Sequence, residues 1–377
     1  METKPFPIPY PPSPNIDMQI EHRIGQLMLV GLPGAEVDSA ARELLQMIQP
    51  GGVLLNQRNI ETAQQVSELN STLRSVIGVP PILAIDQEGG RVDRLQEIFS
   101  PMPSPDLLRA TNDAVVAARQ GEITAEALRV LGFNVNLAPV LDIALDDAAD
   151  NGLKGRYLGD SVAEVVRLAG AYLEGLQHGG VTGVGKHFPG LGASMLNSHA
   201  DLPIVESTRD DIMKRDIAPY SELFSKINAR LSAVMVGHAH YSAFDGTAPL
   251  PASLSKNVVT GLLREELGFK GLAITDDLDM GAITSTREIG EAAIQAIEAG
   301  HDMVMVTGSI ESMTAAWQAM TEAARDGRIT KTHIRRAFDH IARIKSMLSP
   351  PHALNDGVIA RLRERVTELN LILQHAK

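Results

Sequence analysis

Eight short apolar runs punctuate the chain. They are LMLVGL (27–32), GGVLLN (51–56), PILAID (81–86), FNVNLAPVLD (133–142), GVGKHF (183–188), AVMVGHAH (233–240), GLAITDD (271–277) and DMVMVTG (302–308). Each is apolar along its length rather than alternating. That pattern belongs to parallel strands covered on both faces. Segments with helical periodicity separate the runs, such as 161–178 and 285–299. Eight strand–helix units predict an α/β chain folded as a (β/α)8 TIM-type barrel, with an open doubly wound sheet as the alternative. A length of 377 residues accommodates one such barrel as a single domain. Further helices are expected near 309–325 and 330–348. After Pro350 and Pro351 a last amphipathic helix is expected near 357–374. The predicted organisation is a proline-rich arm over 1–16, a barrel over 17–348 and a C-terminal helix within 349–377.

Composition narrows the function. Lys and Arg number 34 against 46 Asp and Glu, a net charge of −12. No basic surplus is left to neutralise phosphates, so neither a nucleic acid nor an anionic membrane surface is expected as partner. The chain has no cysteine, which excludes disulfides, thiolate metal sites and cysteine nucleophiles. Its first residues lack a charged segment followed by an apolar run, so a cytoplasmic location is expected. No apolar stretch reaches the roughly 20 residues of a membrane span.

The polar residues gather at the ends of the runs. Asp86-Gln87-Glu88-Gly89-Gly90-Arg91 follows the third, Asp142 ends the fourth, and Lys186-His187 ends the fifth. His238 and His240 end the sixth, and Asp276-Asp277 ends the seventh. Barrel chemistry sits at the C-terminal ends of the strands, so these residues predict one shared site. Two other patterns fail on inspection. Gly180 to Lys186 reads G-x-x-x-x-G-K, but His187 stands where a phosphate loop needs Ser or Thr. His238 and His240 form a His-x-His pair on the sixth strand, not the first, so no metal is expected. No cofactor is expected either.

Three segments resemble glycoside hydrolase family 3, and within it the bacterial β-N-acetylglucosaminidases of the NagZ type. They are AIDQEGGRVDRL (84–95), GKHFPGLGASMLNSH (185–199) and LLREELGFKGLAITDDLDMGAI (262–283), in the family's order. Looser similarity runs from about residue 20 to 345. The resemblance implies a retaining hydrolase for a small carbohydrate, possessing a carboxylate nucleophile and a second group that serves as acid and then base. It places the nucleophile at Asp276, after Thr275. It places the acid/base at His199 on the loop after strand five, oriented by Asn197, where the family has aspartate. Asp201, two residues past His199, is a second candidate partner. Leu191 replaces the second histidine of the family's Lys-His-Phe-Pro-Gly-His-Gly. Asp86, Arg94, Arg156, Lys186 and His187 match substrate-binding positions, the last two being expected hydroxyl donors. Asp277 is expected to point elsewhere.

Aromatic residues make up only 4% of the chain, with one tryptophan, Trp317. Few stacking platforms favour a short, exo-acting pocket. The expected activity is removal of terminal β-N-acetylglucosamine from small glycans such as peptidoglycan recycling fragments. Three alternatives stay open: another β-sugar (glucoside or xyloside), phosphorolysis in place of hydrolysis, and a catalytically weak sugar-binding protein favoured by Asn197 and Leu191.

Overall fold

The computed structural model describes residues 19–146, 149, 151–198 and 201–375. The expected arm over 1–16 therefore lies outside the described residues. Eight strand positions form the barrel: β1 Met28–Val30, β2 Gly52–Leu55, β3 Ile82–Ile85, β4 Val135–Asn136, β5 in two segments (Thr182–Gly183 and Gly185–Phe188), β6 Ala233–Val236, β7 Leu272–Asp277 and β8 Met303–Val306. All pair in parallel, each with the next, and β8 returns to β1. The first segment of β5 pairs with β4 and the second with β6, which closes the ring.

The fourth strand is shorter than its apolar run. Pro139 has no N–H to donate, so the ladder stops after Asn136 and resumes as a single bridge between Val140 and Lys186. The barrel interior is filled by side chains such as Leu29, Ile82, Ala84, Val184, Ile274 and Met303, around a void of only about 10 Å³. A filled interior leaves the C-terminal mouth as the place for a ligand.

The helices follow their sequence signals. Asp113 accepts from the backbone N–H of Val115 at 2.8 Å and opens Ala114–Leu131, which Gly132 ends at φ +91°. The later helices are Ile289–Ala299, Ile310–Arg325, Lys331–Met347 and Asp356–His375. The last one buries Leu362, Val366, Leu369 and Leu373. Its Arg363 donates to the Ile98 carbonyl at 2.7 Å, so it packs on the segment after β3. Among the described residues no helix is long and apolar enough to cross a membrane.

Candidate active site

Two β-bulges shape the mouth. Along β7 and β8, Ile274 pairs with Met303 but Asp277 pairs with Met305, so β7 carries one extra residue beside Asp276. Along β6 and β5, Val234 pairs with Gly185 but Val236 pairs with Phe188, so β5 carries one extra residue at Lys186-His187. A bulge breaks strict alternation and re-aims side chains. Consecutive residues consequently line the same cavity: Lys186 with His187, and Asp276 with Asp277. Asp277 borders the cavity, while its carboxyl is bonded to Thr307 and the Asp279 N–H.

The exit of β3 is fixed by β4. Asn136 accepts from the Gln87 N–H at 2.9 Å and donates to the Gln87 carbonyl at 2.8 Å. With Gln87 clamped, Asp86 and Glu88 fall on the opposite side of the pleat and both face the cavity. The chain then turns back as a short antiparallel pair, Gln87–Gly89 with Val92–Asp93, through Gly89 and Gly90 at φ +95° and +60°. That turn brings Arg94 to the same cavity.

The cavity measures about 570 Å³. One wall is a buried ion network. Lys186 Nζ lies 2.5 Å from Asp86 Oδ1 and 2.7 Å from Glu88 Oε1. Arg156 binds Glu88 with two bonds of 2.8 Å, from Nε and Nη2. Burial alone would push the Glu88 carboxyl up, but Arg156 and Lys186 outweigh it and hold it far below the usual carboxylate range. Burial would likewise lower Lys186 and Arg156, and the carboxylates raise both instead. All three stay charged across the working range. Sequence reasoning assigned no role to Glu88, although it stands inside the quoted Asp-Gln-Glu-Gly-Gly-Arg.

Asp276 faces this wall from β7. Its Oδ1 accepts from the Asp277 N–H at 2.8 Å. Burial raises its carboxyl, but His238, His187 and Lys186 together pull it below the usual value, so it is an anion. Asp277 is held by Thr307, through both N–H and hydroxyl, and by the Asp279 N–H. Burial pushes the Asp277 carboxyl up to about 6. Two adjacent carboxylates are thus driven apart in acidity.

The remaining sequence candidates are placed as follows. Arg94 lines the cavity, and its Nε has no hydrogen-bond partner among the described residues. His187 lines it too, with Nδ1 2.8 Å from Asp142 Oδ2. Asn197 lines the cavity mouth on the loop 190–198. This loop starts with the Leu191 N–H donating to Asp142 Oδ1 at 2.6 Å and reaches the other side at Ser198, whose carbonyl accepts from the Ala282 N–H at 3.3 Å. His199 lies outside the described residues. Asp201 is exposed, and its N–H donates to the Asn197 carbonyl at 3.4 Å. His238 is buried behind β7, with Nε2 2.9 Å from the Asp277 carbonyl and Nδ1 2.7 Å from Ser253 Oγ. His240 turns away to the Gly246 and Leu250 carbonyls, so it does not join the shared site. Among the described residues, no three His, Cys, Asp or Glu side chains gather as a metal site.

Asn56, Arg58 and Thr307 also line the cavity and were missed. Arg58 binds the Leu32 and Thr307 carbonyls at 2.8 and 2.7 Å and ties the ends of β1 and β8 together. Asn56 and Thr307, at the polar ends of the second and eighth apolar runs, left a trace in the sequence, and Arg58 left none.

Known proteins of one family share this sequence pattern and fold. Residues 19–344 match the family model described as the glycosyl hydrolase family 3 N terminal domain. A β-hexosaminidase of Alkalilimnicola ehrlichii is 33% identical over 325 residues, covering 84% of this chain and 91% of its own length. One from Nitrosomonas eutropha is 35% identical over 295 residues, covering 77% and 82%. Among solved structures, a family 3 β-N-acetylglucosaminidase from Paenibacillus sp. superposes with TM-score 0.87 at 34% identity, over 93% of this chain and 69% of that one. A β-N-acetylhexosaminidase from Beutenbergia cavernae superposes with TM-score 0.80 at 29% identity, over 88% and 99%. With the family model spanning the whole barrel and every cavity-lining strand end, the chain belongs to glycoside hydrolase family 3.

Proposed function

We propose that this glycoside hydrolase is an exo-acting, retaining β-N-acetylhexosaminidase that removes terminal β-N-acetylglucosamine from small glycans. The observation that carries the reading is Asp276: an anionic carboxylate on a bulged strand end, facing a wall of fixed donors and acceptors in one compact cavity. The N-acetylated sugar is taken from the relatives named β-hexosaminidase that span most of the chain. Peptidoglycan fragments in the cytoplasm are the proposed natural setting.

In the proposed reaction, Lys186, Asp86, Arg94, Arg156 and His187 hold the sugar hydroxyls. Asp276 then attacks the anomeric carbon as the bond to the leaving oxygen breaks. His199 gives that oxygen its proton, and a glycosyl ester forms on Asp276. His199, now basic, takes a proton from water, which attacks the anomeric carbon and frees Asp276. A rigid ion network suits this task, because it costs no reorganisation when the substrate reacts. Asn197 at the cavity mouth is proposed to orient His199.

Asn197 favours a second reading, a weaker enzyme for poor leaving groups. An amide can accept from an imidazole N–H but gives an imidazolium no charge partner.

The test is a panel of chromogenic β-N-acetylglucosaminide, β-glucoside and β-xyloside substrates, each with and without phosphate. Turnover of the N-acetylglucosaminide in phosphate-free buffer is expected. Preference for a glucoside or xyloside would replace the sugar, and strict dependence on phosphate would replace hydrolysis by phosphorolysis.

A further inference from the structure

We propose that Asp142 is a positioning residue that fixes His187 as a hydrogen-bond acceptor in the sugar site. The inference rests on the reading of the cavity as a glycosidase site. It contradicts the expectation that His187 serves as a donor.

Asp142 is fully buried at the end of the fourth apolar run. Its two oxygens do different work. Oδ2 lies 2.8 Å from His187 Nδ1 and also accepts from the His187 backbone N–H at 3.3 Å. Oδ1 accepts from the Leu191 N–H at 2.6 Å. A carboxylate in this place accepts only, so the proton on that side of the ring belongs to Nδ1. The other side gives the same answer independently. His187 Nε2 faces Arg156 Nη2 at 3.5 Å, and a guanidinium donates only. A proton on Nε2 would oppose it. An acceptor behind the ring and a donor in front together leave the lone pair on Nε2, and the 3.5 Å contact from Arg156 is long enough for a sugar hydroxyl to compete for it.

The consequence is chemical. Lys186 and Arg156 are donors only, and a sugar hydroxyl must also donate its own proton. With Asp86 already accepting from Lys186, His187 Nε2 supplies an acceptor on that wall. Through Leu191 the same carboxylate fixes the start of the loop that leads to Asn197, so the sugar-reading ring and that loop share one anchor.

Asp142→Asn isolates the first role. The amide oxygen must stay on the Leu191 side, because the 2.6 Å bond there is shorter than the 3.3 Å one to the His187 backbone. The amide NH2 then faces His187 Nδ1 and forces the proton onto Nε2. Ring-nitrogen NMR of isotope-labelled histidine should show the Nδ1–H tautomer for His187 in the wild type and the Nε2–H tautomer in the variant. Turnover of an aryl β-N-acetylglucosaminide, as kcat/KM, should fall roughly tenfold to a hundredfold, the cost of one opposed hydrogen bond. In a His187→Ala background the same substitution should change it less than about threefold.

Two results would overturn the proposal. One is an Nε2–H tautomer in the wild type. The other is an equal loss from Asp142→Asn with and without His187. A wild-type protein that turns over none of the glycosides would instead remove the glycosidase reading, and the spectrum would still decide the tautomer.

Discussion

Glu88 holds together one wall of the cavity, and it does so by charge balance. It lies between Lys186 and Arg156, all three side chains being almost wholly buried. Removing its charge leaves Arg156 without its carboxylate partner in a poorly solvated place, beside a Lys186 that keeps only Asp86. Glu88→Gln should therefore cost about 3–5 kcal/mol of folding stability. Chemical denaturation checks this, and a loss under about 1 kcal/mol would mean the network is not a unit. Asn197 carries a second residue-scale prediction. If it orients His199, Asn197→Asp should raise turnover of substrates with poor leaving groups, by part of the roughly 10²–10⁴-fold that a positioned proton donor contributes. Activated aryl glycosides should change little, and His199→Ala should spare them more than natural substrates. Comparing kcat/KM on both substrate types decides it. No effect of Asn197→Asp, together with a severe Asp201→Ala, would make Asp201 the partner. At this scale much was legible: Asp276, Lys186 and His187 stand at strand ends that the apolar runs already mark. Glu88 was legible as part of a polar strand end but its role was not, because a carboxylate between two cations looks in sequence like any polar residue in a turn.

Elements decide which of those residues meet. Alternation along a strand would send Asp276 and Asp277, or Lys186 and His187, to opposite faces. The bulges on β7 and β5 bring each pair to one cavity. An added residue in a parallel ladder leaves no period in the sequence, so the bulges themselves could not be read there. The loop 190–198 has the same character. Gly192 packs so closely that a Cβ would come within 2.1 Å of the Ile143 carbonyl oxygen. Gly192→Ala should lift the loop off the exit of the fourth strand and displace Asn197. A misplacement of about 1 Å can cost on the order of 10²-fold, so kcat/KM should fall at least tenfold. Steady-state kinetics checks it, and an unchanged value would mean that the loop position does not matter for turnover.

At the scale of the whole molecule, the barrel and the last helix are one packed body. The eight apolar runs predict the eight strands, and the helical periods predict the helices around them. What they leave open is how residues 349–377 are used. Leu362, Val366, Leu369 and Leu373 are each fully buried, and Arg361 and Arg365 pair with Glu126. Ending the chain at residue 348 should therefore expose an apolar face on the barrel and lower the melting temperature, although every proposed site residue is retained. Calorimetry of the truncated chain checks this, and an unchanged melting temperature would make the helix a separate appendage.

The central claim is that Asp276 forms a covalent bond with the sugar. It is tested most directly by incubating the protein with a mechanism-based fluorosugar of the N-acetylglucosamine series and sequencing the labelled peptide by mass spectrometry. The proposed mechanism predicts one sugar per chain, attached to Asp276 and lost in Asp276→Ala. A label on Asp277 or any other residue would contradict it.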